Sequence, residues 1–172
     1  NSPLGRSEDC VVRSTKSIMH SVIGGTHYRM KLEGNAGPAQ RATFYNALFV
    51  SNSCPGWRMS VGDECQLYNC TVVGNRSRDG YVLSGGMAIN CIFADNGNTC
   101  NALTTNAFMG AAVTHCWTNA ADPGFVATAP LPYALGDGSP CIDAGIDMAW
   151  MAEATDFSGA PRVTGAGVDL GA

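Results

Sequence analysis

Charge is scarce in this chain of 172 residues: Asp, Glu, Lys and Arg make up 14% of it, against about 25% in an average soluble domain. Aromatic residues are 8% and histidines only three. No run of about 18 apolar residues occurs, so the sequence encodes no membrane-spanning helix. The net charge of −4 disfavours a nucleic-acid partner, whose phosphates need a basic face, but leaves room for an anionic sugar at a local basic patch. There is no CxxC pair and no paired Cys/His spacing, which argues against zinc. Runs with a 3.6-residue period are missing too, which removes the helical crossovers of a βαβ fold.

Glycine (21) and cysteine (eight) are what the chain has in quantity, and with 45% apolar residues they suit a turn-rich β protein of one domain's length. The cysteines are Cys10, Cys54, Cys65, Cys70, Cys91, Cys100, Cys116 and Cys141. So many thiols fit an oxidising compartment and disulfides, whose pairing the sequence leaves open. No signal peptide begins at Asn1; it is expected to have been removed or to lie upstream.

Asparagine recurs with a period. The units Tyr45-Asn46-Ala47-Leu48-Phe49-Val50-Ser51-Asn52, Tyr68-Asn69-Cys70-Thr71-Val72-Val73-Gly74-Asn75 and Ile89-Asn90-Cys91-Ile92-Phe93-Ala94-Asp95-Asn96 share one form: apolar, Asn, small, x, apolar, x, x, Asn. Their offsets are 69 − 46 = 23 and 90 − 69 = 21 residues. Degenerate units start at His115-Cys116-Trp117 and at His20-Ser21-Val22-Ile23. A second strand reads Tyr28-Arg29-Met30-Lys31-Leu32, Trp57-Arg58-Met59-Ser60-Val61 and Tyr81-Val82-Leu83-Ser84-Gly85. Two short strands per repeat, joined by Gly/Asn turns, predict a solenoid whose coils stack through parallel ladders. The register then predicts inward columns of Ala47, Cys70, Cys91 and Cys116 and of Phe49, Val72 and Phe93. It predicts an aromatic column of Tyr28, Trp57 and Tyr81, and a corner ladder of Asn46, Asn69 and Asn90, since Asn tolerates the left-handed backbone a corner needs. Asn69-Cys70-Thr71 and Asn75-Arg76-Ser77 also match glycosylation sequons, with the ladder preferred for Asn69.

From about residue 119 the rhythm stops. Asp122-Pro123-Gly124-Phe125-Val126 is followed by Ser139-Pro140-Cys141-Ile142-Asp143-Ala144-Gly145, then by Asp156-Phe157-Ser158-Gly159-Ala160-Pro161-Arg162 and Val168-Asp169-Leu170-Gly171-Ala172. Over roughly residues 65–172 this resembles bacterial secreted right-handed β-helix proteins that carry a C-terminal choice-of-anchor module, with its DPLFV, SPCIDAG, DxxGxPR and VDIGA motifs in the same order. Gly124 departs from the family's bulky residue there, and the family commonly runs on to an anchoring signal beyond the point matched by Ala172. The resemblance implies an all-β, right-handed parallel β-helix over residues 1–118 with an irregular segment, 119–172, packed on it as a cap. It implies a secreted or cell-surface bacterial protein. Phe125, Leu135, Ile142 and Leu170 would cover an open solenoid end, which otherwise invites aggregation.

Asp156, Arg162 and Asp169 suit an internal ion-pair and turn network; calcium held by Asp143, Asp156 and Asp169 is the alternative, and no other cofactor is indicated. No catalytic cluster stands out. Asp63-Glu64 are neighbours and suit a solvated turn, and His20, His27 and His115 lie in no triad pattern. Arg29 and Arg58, read as equivalent positions on successive coils with Lys31 on the same face, would form an anionic contact for an acidic glycan or a partner's carboxylates unless Glu33 and Glu64 neutralise them. The function expected is an extracellular or cell-surface structural or adhesive module, binding glycan or protein or further copies of itself by stacking from an edge near Asn1 into fibres. A polysaccharide lyase or hydrolase, or the non-catalytic tail of one, is the alternative.

Overall fold

The computed structural model describes residues 5–14, 16, 20–99, 107–127 and 133–172; Asn1 and Cys100 lie outside them. The chain winds as a parallel β-helix. A six-stranded first sheet stacks Arg6–Glu8, Thr26–Tyr28, Thr43–Tyr45, Gln66–Tyr68, Met87–Ile89 and Ala112–Thr114, every pair parallel and in register. A second sheet stacks Val11–Arg13, Lys31–Glu33, Leu48–Val50, Thr71–Val73 and Ile92–Ala94, and a third stacks Val22–Ile23, Ala39–Gln40, Met59–Asp63, Tyr81–Ser84 and Ala107–Met109. A short fourth sheet joins Ser53–Cys54, Arg76–Ser77 and Gly97–Asn98. Alternation sorts the strands' side chains: Phe44, Leu67 and Ala88 of the first sheet and Leu32, Phe49, Val72 and Phe93 of the second point inward and are fully buried.

Left-handed residues make the corners. Between the first and second sheets stand Asp9, Arg29, Asn46, Asn69, Asn90 and His115, with φ from 47 to 55°. Such backbone costs a non-glycine about 1–2 kcal/mol. The ladder offsets it by running through the corner: Asn46 N–H donates to Tyr68 O at 3.0 Å and Asn69 N–H to Ile89 O at 3.0 Å. The residue after each corner turns inward, so Cys10, Met30, Ala47, Cys70, Cys91 and Cys116 form one column. Backbone N–H groups in this column point at sulfur, Cys70 N at Cys91 Sγ (3.4 Å) and Cys91 N at Cys116 Sγ (3.2 Å). Glycine is obligatory at Gly86, where φ is +71° and a Cβ would stand 2.0 Å from Cys65 O.

Three sequence expectations are corrected by this register. Tyr28-Arg29-Met30-Lys31-Leu32 belongs to the first corner, not to a second strand, because the coil between Arg29 and Asn46 is only 17 residues long (46 − 29). The aromatic column is therefore Tyr28, Tyr45 and Tyr68, stacked at 5.0 and 4.8 Å, while Trp57 packs on His20 at 4.6 Å. His20 accordingly precedes the third sheet instead of standing at the Asn corner. The cysteines within the described residues form no disulfide: Cys10, Cys54, Cys65, Cys70, Cys91, Cys116 and Cys141 are free thiols. Burial pushes Cys54 up to about 12 and Cys65 and Cys141 up to about 11, so all three stay protonated near neutrality.

The tail lies along the flank. It contributes an antiparallel pair, Phe125–Val126 with Ala134–Leu135, and a 3-10 turn, Ala149–Glu153. Corner asparagines grip it coil by coil: Asn90 Nδ2 donates to Ile146 O (2.8 Å) and its Oδ1 accepts from Ile146 N (3.0 Å). Asn46 Nδ2 donates to Thr155 O (2.7 Å) and Asn69 Nδ2 to Asp169 O (3.1 Å). The last residues return to the second sheet, with Gly171 N–H on Asn90 O at 2.8 Å and Ala172 N–H on Thr71 Oγ1 at 2.9 Å. Ile92, Cys141 and Leu170 are buried together there, with Trp117, Phe125 and Leu135 packed against them. The segment thus covers the outer face of the second sheet, and these contacts run sideways along the coils where a wrap over the end was expected.

Candidate ligand cleft on the solenoid flank

The three cations singled out in the sequence do not meet as one patch. Arg29 and Arg58 are not equivalent: Arg29 holds a corner, and Arg58 precedes the third sheet. Each has its own acid. Arg58 Nε meets Asp79 Oδ2 at 2.9 Å and Lys31 Nζ meets Glu33 Oε1 at 3.1 Å. Arg29 meets Glu8 Oε1 at 2.6 Å, both Asp9 oxygens at 2.7 and 2.8 Å, and Thr155 Oγ1 at 2.8 Å. The Arg29 hydrogen bonds hold the Asp9 carboxyl below its usual range.

Asn46, Asn69 and Asn90 occupy one corner and are buried by the tail they bind. Among them Asn90 Nδ2 also reaches Asn69 Oδ1 at 3.4 Å. The closely bonded side-chain ladder is a different set, Asn35, Asn52, Asn75 and Asn96, inside the solenoid. Asn52 Nδ2 donates to Asn75 Oδ1 at 2.8 Å and Asn75 Nδ2 to Asn96 Oδ1 at 2.9 Å, and each Oδ1 also takes the backbone N–H of the coil before it, at 3.0 Å. Asn75 is fully buried, which removes its sequon from use in the folded chain, as burial does for Asn69.

Asp143, Asp156 and Asp169 cap turns. Asp169 Oδ1 accepts Asp143 N (2.8 Å), Asp143 Oδ1 accepts Gly167 N (3.0 Å), and Asp156 Oδ1 accepts Ser158 N (2.8 Å). Buried Arg162 places its guanidinium beside Asp156 and Asp169 and donates to Asp169 O at 3.1 Å. Positive charge already stands where a calcium ion would, and the described residues contain no set of three His, Cys, Asp or Glu groups arranged for a metal. These residues do not fit a calcium cage. They line a cavity of about 280 Å³ between the tail and the second sheet, closed mainly by Leu48, Ile142, Phe157 and Leu170.

A larger cleft of about 530 Å³ opens where the 3-10 turn crosses the first sheet, lined by Arg6, Glu8, Tyr28, Arg29, Trp150 and Glu153 among others. Both faces of Tyr45 are covered, by Tyr28 and Tyr68 lying within 10° of parallel. Trp150, 4.8 Å away at 72°, therefore meets the edge of Tyr45 and turns one indole face to it. Arg6 lies over the free face of Tyr28 at 4.5 Å and reaches Glu8 at 3.4 Å. Two residues of the lining each bury an atom that has no hydrogen-bond partner among the described residues, Asn46 Oδ1 and Trp150 Nε1. Sequence reasoning missed this cleft because Trp150 and Glu153 sit in the aperiodic tail, and only the fold brings them to Tyr28.

Nothing in the cleft resembles a nucleophile with its base. Among the described residues a His–Ser hydrogen bond joins Ser7 Oγ and His27 Nδ1 at 2.7 Å, facing the interior, and His27 Nε2 is held by Gly24 O at 2.8 Å. That pair satisfies the two nitrogens of a buried imidazole. No helix among the described residues is long and apolar enough to cross a membrane. No protein-family model matches the chain, and comparison with curated proteins and with solved structures gave no match.

Proposed function

We propose that the chain is an extracellular or cell-surface module that binds glycan without turning it over, using the parallel β-helix as a rigid mount. The observation that carries this reading is the Trp150 cleft: an indole beside a stack of tyrosines, rimmed by charged groups, in a volume that admits a short oligosaccharide. Aromatic faces with a few polar groups are what a largely preformed small-ligand site needs. The solenoid's parallel ladders hold Tyr28, Tyr45 and Tyr68 in register, so little ordering is required on binding. Placement outside the cell rests on the resemblance of the tail to the anchor-type module, since the free thiols give the compartment no support.

A glycan array followed by calorimetry tests the reading. Binding is expected, and Trp150→Ala is expected to weaken it about tenfold or more while leaving the circular dichroism spectrum unchanged. A panel of polysaccharides incubated with the protein is expected to release no reducing or unsaturated sugar. Absence of any glycan ligand, or release of sugar, would overturn the proposal.

A further inference from the structure

The cleft holds two cations and two carboxylates, Arg6, Arg29, Glu8 and Glu153, and its strongest cation is already committed. Arg29 spends Nε on Asp9, Nη1 on Thr155, and Nη2 on both Glu8 and Asp9. A carboxylate is recognised best by two parallel N–H donors from one guanidinium, and no such fork is left on Arg29. Arg6 is spread over Tyr28 and tied to Glu8. With Asp9 beside them, the acids outnumber the bases, so a second negative charge entering the cleft would meet net repulsion.

Two residues of the lining carry a buried polar atom with no hydrogen-bond partner among the described residues, the acceptor Asn46 Oδ1 and the donor Trp150 Nε1. A hydroxyl is the uncharged group that donates and accepts at once. Glu153, exposed and in no ion pair among the described residues, is a further acceptor for hydroxyls. From these observations we infer that the cleft selects a neutral saccharide and rejects acidic ones. The inference rests on the glycan reading above and names the ligand class for that same site. It also reverses the acidic-glycan expectation attached to Arg29, Lys31 and Arg58.

The test compares a neutral oligosaccharide with the uronate oligosaccharide of the same length and linkage, by calorimetry at low and at high salt. The neutral ligand is expected to bind with a Kd that salt does not move, and the uronate about tenfold more weakly at low salt. Glu8→Gln removes one negative charge while keeping an amide oxygen that can accept from Arg29, and is expected to narrow or invert that preference, most strongly at low salt. A wild-type preference for the uronate that fades with salt would overturn this inference alone. Failure to bind either ligand, or any other glycan, would overturn the glycan reading as well. An unchanged preference in a folded Glu8→Gln variant would overturn the assignment of selectivity to the cleft's charge balance.

Discussion

Asn75→Ala is the substitution that most sharply probes the solenoid interior. Asn75 is fully buried. Its Nδ2 donates to Phe49 O (2.9 Å), Val73 O (3.1 Å) and Asn96 Oδ1 (2.9 Å), and its Oδ1 accepts Asn52 N (3.0 Å) and Asn52 Nδ2 (2.8 Å). Alanine removes all five contacts. Asn52 Nδ2 keeps Leu32 O at 3.1 Å and the Phe49 carbonyl keeps its place in the ladder of the second sheet, so the group left with no partner is the Asn52 N–H. One buried unsatisfied group costs about 1–3 kcal/mol and the two hydrogen bonds made by the Nδ2 protons about 0.5–1.5 kcal/mol each, so the substitution costs roughly 2–6 kcal/mol, a large share of the 5–15 kcal/mol that holds a typical domain together. Asn46→Ala is the control. It loses one hydrogen bond, to Thr155 O at 2.7 Å, plus the left-handed preference of Asn, together about 1.5–3 kcal/mol. Urea unfolding followed by circular dichroism, with the m-value checked for constancy, measures both. Stability of Asn75→Ala within about 1 kcal/mol of wild type would refute the interior hydrogen-bond ladder as a principal support.

Other consequences follow from the same geometry. Gly86→Ala puts a methyl 2.0 Å from Cys65 O at φ +71°, and is expected to abolish soluble folded protein, whereas Gly56→Ala, with open space around its Cβ position, should express normally. Asp9 and Glu33 are held below their ordinary range by Arg29 and by Lys31 with Arg13 respectively. Their stabilisation is thus present above the unfolded carboxylate range and is lost as pH falls through their lower folded values, so thermal melts should be flat near neutrality and fall only on acidification below about pH 4. Thiol labelling of the native protein near neutral pH should spare Cys54, Cys65 and Cys141, whose values lie at about 12, 11 and 11, until denaturant is added; fast native labelling at Cys54 would contradict its burial.

The coil repeat is legible in the sequence because each unit couples a corner residue, a small inward residue and an apolar inward residue at fixed spacing. Ala47, Cys70 and Cys91 announce the column that the backbone pairing places together. The second coil is hidden for a physical reason. Arg29 stands where other coils have Asn, and Arg carries no signal for left-handed backbone, so Tyr28-Arg29-Met30 looks like plain strand. The interior ladder is hidden differently. Asn52, Asn75 and Asn96 close the repeat motif, but a left-handed residue or glycine precedes each of them at Ser51, Gly74 and Asp95, and that turn resets the in-out alternation. Counting by twos from Phe49 cannot reveal that Asn52 faces the core. The cleft was illegible because its halves are more than a hundred residues apart and one of them has no periodicity at all.

The two asparagine columns solve opposite problems with one side chain. Inside, an amide satisfies backbone groups where the second corner breaks the regular ladder, so each coil is tied to the next within the core. Outside, at the first corner, the backbone already continues its ladder, and the amide is left free to bind something else. Here it binds Thr155, Asp169 and Ile146, segments with little regular pairing of their own. An aperiodic tail can be buried only if its peptide groups find partners, and a column of amides spaced by one strand separation supplies them at regular steps. That arrangement fixes the 3-10 turn against the first sheet, and with it Trp150 beside Tyr45. Residues that look like internal bracing therefore position the cleft, and substitutions at Asn46 or Asn90 should disturb ligand binding in proportion to how far they loosen the tail.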